Sequence, residues 1–161
     1  MNESTVADRL RWLAVTVGVA AAAVPLSFVL WRTSPGVATP PPDMLPFLVP
    51  IAVVIPALSF GLGIAFLLFG RSLIREDGAP ALARATFFSI GWLLVNWWPH
   101  SNFHRVANGW TNVVLVDYFF HTTVIIATCV VAAFFLRVVR ARDAGGLTSR
   151  GTRDVALASG R

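Results

Sequence analysis

NWWPHSNFHRVANGWTNVVLVDYFFH, residues 96–121, joins the last two apolar segments of the chain and holds all three of its histidines. It also holds Asp117, the one acid placed inside a strongly apolar segment. Upstream the sequence is almost wholly apolar back to Ala85, and downstream it stays apolar to Leu136. Two long apolar runs joined by a short polar connection read as neighbouring transmembrane helices, with the histidines gathered at one membrane face.

Working outward, two more runs of the same kind appear. Trp12 to Trp31 is an apolar stretch with a tryptophan at each end, as expected of helices whose ends sit in the interfacial aromatic belts. Phe47 to Gly70 is the second, carrying Pro50, Pro56 and the Gly61-Leu62-Gly63 group. The prolines predict a kinked helix, and the glycines predict close approach by a neighbouring helix. The third run, 81–98, is short, with only 14 uncharged residues from Ala85 to Trp98. The fourth is 111–136. Composition agrees: 56% of the 161 residues are hydrophobic, 13% are charged, and the mean hydropathy is +0.69. The expected fold is an all-α integral membrane protein, a single domain over 1–136 built as a four-transmembrane-helix bundle (12–31, 47–70, 81–98, 111–136). A short helical segment lies in the outer loop between the third and fourth helices. The Gly/Ser/Thr-rich tail, 137–161, reads as a basic cytoplasmic extension without order.

The connections carry their own signals. Residues 32–46 hold five prolines and read as a loop with polyproline character. Pro99 reads as the end of the third helix and the start of the short one, because it has no N–H to give and disfavours helical geometry at Trp98. Asn108-Gly109 reads as its stop. A signal peptide is the rival account of the first run, with Arg9 and Arg11 as its basic start and Gly36-Val37-Ala38 as a cleavage site. Against it, the run exceeds the ~7–15 apolar residues of an ordinary signal core.

All 13 basic residues are arginines, and the net charge is +5. In a soluble protein this balance would suggest nucleic acid. Here the arginines sit at the ends of apolar runs, so the lipid bilayer is the expected partner and nucleic acid is not. With both termini on one side, that side holds Arg9, Arg11, Arg71, Arg75, Arg84, Arg137, Arg140 and Arg142, against Arg32 and Arg105 on the other. The bias places a multi-pass protein in the cell membrane with its N- and C-termini cytoplasmic and the histidines outside. Cys129, the single cysteine, closes no intrachain disulfide and reads as a small packing residue.

Asn96, His100 and His104 are spaced four apart, as are Asp117 and His121, so each set shares one face if its segment is helical. Imidazole nitrogen and carboxylate oxygen are ligands for copper, zinc and iron. The candidate metal ligands are His100, His104, Asp117 and His121, with Asn96 as a supporting residue. A haem b held between His121 and His100 or His104 is the other cofactor to weigh. The bland alternative is a structural polar cluster: Asp117 paired with His121 one turn on, or with Arg105 at the outer surface. A proton or solute path is the third, because ionisable groups within apolar helices mark such paths. Trp97, Trp98 and Trp110 read as an outer aromatic belt or as walls of a cofactor site, Trp92 as packing, and Thr122, Thr123 and Thr128 as bonding back to their own helix.

The Asn96-x3-His100 and Asp117-x3-His121 elements resemble the copper-binding helices in the membrane subunit of particulate methane and ammonia monooxygenases. In that family each element is followed by another histidine about a dozen residues on, and nothing after His121 supplies one. The resemblance implies copper as a candidate metal and carries nothing about oxidation chemistry. There is no phosphate-binding loop, no Gly-x-Ser-x-Gly elbow and no Cys-x-x-Cys, so neither nucleotide chemistry nor a hydrolase is indicated. The expected function is a small membrane protein with a His/Asp metal or haem centre near the outer surface. It would serve as an accessory or redox subunit of a larger membrane complex or as a homo-oligomer; the alternative is an interaction protein whose polar cluster only fixes the outer loop.

Overall fold

The computed structural model describes residues 3–31, 42–75, 78–106 and 114–158, with the side chains of 3–5, 106 and 142–158 outside that description. Gly36-Val37-Ala38, the first part of the proline-rich loop, the Asn108-Gly109 stop, Trp110 and the start of the fourth run fall outside the described residues. Every regular element among the described residues is helical, with no strand among them. Helix α1 runs Glu3–Leu30. A second rod, Pro42–Leu73, contains α2 (Leu45–Val49), a π-helical turn (Pro50–Val54) and α3 (Ile55–Phe69). Then follow α4 (Pro80–Val95), α5 (Trp97–Val106) and α6 (Val114–Ala158).

Among the described residues, three helical segments are long and apolar enough to cross a membrane: Val6–Leu30, Pro42–Leu73 and Val114–Ala141. Helix α4, with 16 residues, spans about 24 Å at ~1.5 Å per residue, short of the ~30 Å hydrocarbon core.

Proline chemistry shapes the second rod. Pro50 and Pro56 each lack the N–H that would serve the carbonyl four residues back. The helix answers with a π turn, closed by the Ile55 N–H donating to the Pro50 carbonyl. The expected kink is thus a widened turn, a known accommodation of such a sequence. The Gly61-Leu62-Gly63 group lies between two neighbours. A Cβ on Gly61 would overlap the Thr16 backbone carbonyl on α1, and one on Gly63 would press on Leu94 and Val95 of α4.

The helices pack in a row: α1 on α3, α3 on α4, α4 on α6. Among the described residues α6 makes its main contacts with α4 alone, so the row does not close into a ring. From Val114 to Ala141 only Ala127 of α6 is buried. Cys129 is exposed on this helix and not a core residue, because it lies on a face that no neighbouring helix covers.

Two helix ends differ from the expected ones. The break between the third and fourth segments falls at Asn96, ahead of Pro99, because the proline withdraws a bond from, and its ring crowds, the carbonyl of Val95 four residues earlier. Pro99 itself sits in the first turn of α5, where no N–H is required. Helix α6 continues past Leu136 and is helical to Ala158, where a tail without order was expected. No glycine or proline interrupts Arg137–Arg142, and the helix then runs on across Gly145-Gly146 and Gly151 despite their low helix propensity.

Candidate metal centre

Helix α5 is only 10 residues long, and its two faces do different work. At about 100° per residue, Trp98, Ser101, Asn102 and Arg105 fall on one side. His100 and His104 fall on the other.

The first face is bolted to the fold. Trp98 is buried against Ala20, Ala23 and Ala57, with Trp31 and Phe60 packed around it. Its ring meets Trp31 edge-on at 5.0 Å and lies 4.7 Å from Phe60. Trp98 is therefore a core residue and not part of an outer belt; Trp97, beside it, is the exposed one. Ser27 of α1 is fully buried, and its hydroxyl is fully used. It donates to the Ala23 carbonyl (2.9 Å) and accepts from Trp98 Nε1 (2.8 Å) and Asn102 Nδ2 (3.1 Å). A serine hydroxyl offers one donor and two acceptor positions, so nothing is left over. Asn102 Nδ2 also donates to the Trp98 carbonyl at 2.8 Å. Arg105 donates to the carbonyls of Ser27 (2.7 Å) and Trp31 (3.3 Å) and to Asn102 Oδ1 (3.3 Å), with its guanidinium 5.1 Å above the Phe28 ring. The Trp31 carbonyl lies past the last turn of α1 and has no partner within the helix, and a cation at a helix C-terminus also interacts favourably with the helix dipole. Burial lowers the Arg105 pKa from its ordinary value, though an arginine keeps its charge at neutral pH. The pairing of Arg105 with Asp117 considered from sequence does not occur: Arg105 turns to α1.

A third bolt ties α5 to the second rod. Ser101 Oγ donates to the Ala52 carbonyl at 2.8 Å. That carbonyl is the one Pro56 cannot serve. Ser59 does the same for the end of α4, donating to the Leu94 carbonyl at 2.8 Å.

The second face meets α6. His104 Nε2 lies 2.8 Å from Asp117 Oδ1, and His100 Nε2 lies 3.4 Å from the same oxygen. The two imidazole nitrogens are 3.0 Å apart. His121 Nδ1 lies 3.4 Å from Asp117 Oδ1 and 2.8 Å from the Asp117 backbone carbonyl. The ligand atoms of His100, Asp117 and His121 all lie within 4.8 Å of one another. His100 and Asp117 are half-buried, whereas His104 and His121 are exposed, and a groove lined by Val114, Asp117, Tyr118 and His121 opens alongside. All four residues singled out as ligands therefore come together. Asn96 joins them only through its backbone: it is buried at the α4–α5 junction, and its carbonyl accepts the His100 N–H at 3.2 Å.

The arrangement rests on the packing of α4 against α6. Trp92 of α4 stacks on Phe120 with ring centroids 6.2 Å apart, and its Nε1 donates to Thr123 Oγ1 at 3.1 Å. Thr123 and Thr128 also bond back to their own helix. Phe120 in turn touches the His100 ring, centroids 5.4 Å apart.

Chemically, the cluster is crowded with lone pairs. Burial, and then the nearby His104, lower the His100 pKa from its usual value, more than the Asp117 hydrogen bond raises it. That shift favours the neutral imidazole, in which one ring nitrogen carries a bare lone pair. Only one proton fits between His100 Nε2 and His104 Nε2; a cation could take the lone pairs of both.

Sequence alone missed Ser27, Trp98, Ser101 and Asn102. Their one signal was the spacing Trp98, Ser101, Asn102, Arg105, a helical face made of polar and aromatic residues. No protein-family model, no characterised protein and no solved structure matches the chain.

Proposed function

We propose that the chain is a multi-pass membrane protein that binds a first-row transition-metal ion at the outer ends of its helices. The observation that carries this is the triangle formed by His100 Nε2, His104 Nε2 and Asp117 Oδ1, with edges of 3.0, 2.8 and 3.4 Å. A circle through these atoms has a radius of about 1.8 Å, so an ion ~2.0–2.1 Å from each sits about 1 Å out of their plane. Ligands around a tetrahedral zinc at those lengths lie roughly 3.3–3.4 Å apart. Accommodating an ion thus takes a spreading of a few tenths of an ångström. His121 stands at the edge of the triangle to complete the set.

Imidazole-rich sites with one carboxylate suit zinc, copper(II) and iron, and the resemblance of the two x3-His elements to copper helices favours copper. An ion is favoured over haem b. Axial ligands of a haem stand on opposite faces of a flat macrocycle, whereas the His121 and His100 rings meet edge to face with centroids 5.2 Å apart, with no gap between them for one. A proton path has less support, because the inner half of α6, Val124 to Leu136, offers only Thr128 and Cys129 as polar groups.

The membrane topology belongs to the same proposal. Val6–Leu30, Pro42–Leu73 and Val114–Ala141 cross as single helices. Helix α4 crosses with the help of Asn96, Trp97 and Trp98, giving a fourth span over about 81–98. Both termini are then cytoplasmic, and α6 turns its uncovered apolar face to lipid.

The test is the metal content and the visible and electron paramagnetic spectra of detergent-purified protein, beside a His100→Ala, His104→Ala, His121→Ala variant. One ion per chain, absent from the variant, is the expected result. A folded wild-type protein that stays empty after exposure to excess copper and zinc overturns the proposal and leaves a structural polar cluster.

A further inference from the structure

The face of α5 that carries His100 and His104 can meet Asp117 only if the helix is held at one rotation about its own axis. A helix this short has little hold on its own. Its rotation is fixed by the opposite face, where Trp98, Asn102 and Arg105 converge on one residue of α1, Ser27, through three hydrogen bonds, two to its hydroxyl and one to its carbonyl, braced by a fourth from Arg105 to Asn102. We propose that this Ser27–Trp98–Asn102–Arg105 network is the positioning device of the His/Asp centre, holding α5 so that its imidazoles face Asp117 and thereby setting metal affinity from α1. The consequence for metal affinity rests on the metal-centre proposal; the consequence for the position of α5 does not.

Geometry makes Arg105 the critical member. Its guanidinium reaches two carbonyls at the end of α1 while holding the Asn102 amide oxygen, so the Asn102 amide nitrogen is left to face Ser27 and the Trp98 carbonyl. Without it, the amide can turn over and α5 loses its only charged tie to α1. A rotation of one residue step, about 100°, would carry His100 and His104 off the α6 side altogether. Even a much smaller rotation opens the triangle. The coupling must also run in reverse: an ion that locks His100 and His104 onto Asp117 holds α5, and through it the last turn of α1.

The test uses the full chain in detergent. Arg105→Ala, Arg105→Lys and Phe66→Ala are titrated with copper(II) and followed by electron paramagnetic resonance. Phe66→Ala is a control that empties a buried site at the other end of the molecule, beside Trp12 and Phe87. Arg105→Ala should weaken copper binding roughly 10–100-fold, the usual effect of losing a partner that orients a ligand, and should alter the copper hyperfine pattern. Arg105→Lys should restore most of the affinity, and Phe66→Ala should lower the melting temperature with affinity and spectrum unchanged. Wild-type affinity and spectrum in Arg105→Ala, or an equal loss in Phe66→Ala, would overturn the proposal.

A second measurement needs no metal. In a Cys129→Ala background, His104→Cys and Asp117→Cys are joined by a short bifunctional thiol reagent, with and without Arg105→Ala. Cross-linking should slow about tenfold when Arg105 is removed. Equal rates refute the positioning role. A tenfold slowing in a protein that takes up no copper would sustain that role while the metal centre itself fails.

Discussion

Replacing Ser27 by alanine removes one hydroxyl from a fully buried position and should destabilise the protein more than its size suggests. The Ser27 hydroxyl accepts from Trp98 Nε1 at 2.8 Å and from Asn102 Nδ2 at 3.1 Å. Alanine cannot accept either. Trp98 is buried and its indole N–H has no other partner among the described residues, so a stranded donor there costs about 1–3 kcal/mol. Asn102 keeps its bond to the Trp98 carbonyl, and its loss is closer to ~0.5–1 kcal/mol. The total is about 2–4 kcal/mol. At roughly 2–4 °C per kcal/mol for a chain of this size, the melting temperature should fall by about 5–15 °C. Thr128→Ala is the matched control. Thr128 also donates to a carbonyl four residues back, Val124 at 2.8 Å, but it is exposed and no side chain among the described residues donates to it. Its loss should stay within about 0.5 kcal/mol. Thermal melts of the two variants in one detergent, followed by circular dichroism, make the comparison. If Ser27→Ala melts with Thr128→Ala, the hydroxyl is not a hub and α5 is held by something else.

Ser101 and Pro56 should behave as a coupled pair. Ser101→Ala leaves the Ala52 carbonyl unserved and should cost about 1 kcal/mol in the wild type, but close to nothing in a Pro56→Ala background, where a backbone N–H is restored; additive losses in a double-mutant cycle would refute the pairing. Gly61→Ala should lower the melting temperature sharply, because its methyl group would overlap the Thr16 carbonyl and force α1 off α3. Gly18→Ala on the same helix pair meets nothing within 4 Å and should be neutral or stabilising by up to ~1 kcal/mol, which the same melts will show.

The four residues of the proposed centre were legible because chemistry and period agreed. Histidines and a carboxylate are conspicuous against an apolar background, and the four-residue spacing on both helices needed only helicity to align them. The long apolar segments were legible for the same reason, since length and composition suffice. The end of the third segment was placed late because the proline was read at its own position, whereas its effect falls on the carbonyl four residues upstream. Trp98 was assigned to a belt because adjacent tryptophans look alike in sequence. On a helix they point about 100° apart, which puts one in solvent or lipid and the other in the core. Cys129 was misread in the opposite sense: an apolar run implies burial only where another helix covers it, and the row of helices leaves α6 covered on one side.

What sequence could not show is that the polar residues between the histidines serve the histidines. Ser101, Asn102 and Arg105 each have an ordinary surface explanation when taken singly, and Ser27 lies more than seventy residues away in an alanine-rich helix. Their role depends on backbone carbonyls of other helices: Ala52, stranded by Pro56; Trp31, past the last helical turn of α1; and Ser27, whose carbonyl takes Arg105 as a further donor. An orphaned carbonyl is invisible in composition and nearly invisible in pattern, yet in an apolar surrounding it must find a donor. Helix α5 supplies those donors from one face, and the requirement fixes the direction of the other. The carbonyls of Trp31, at the end of α1, and Ala52, in the π turn, thus help account for where two imidazoles point on a helix that neither belongs to.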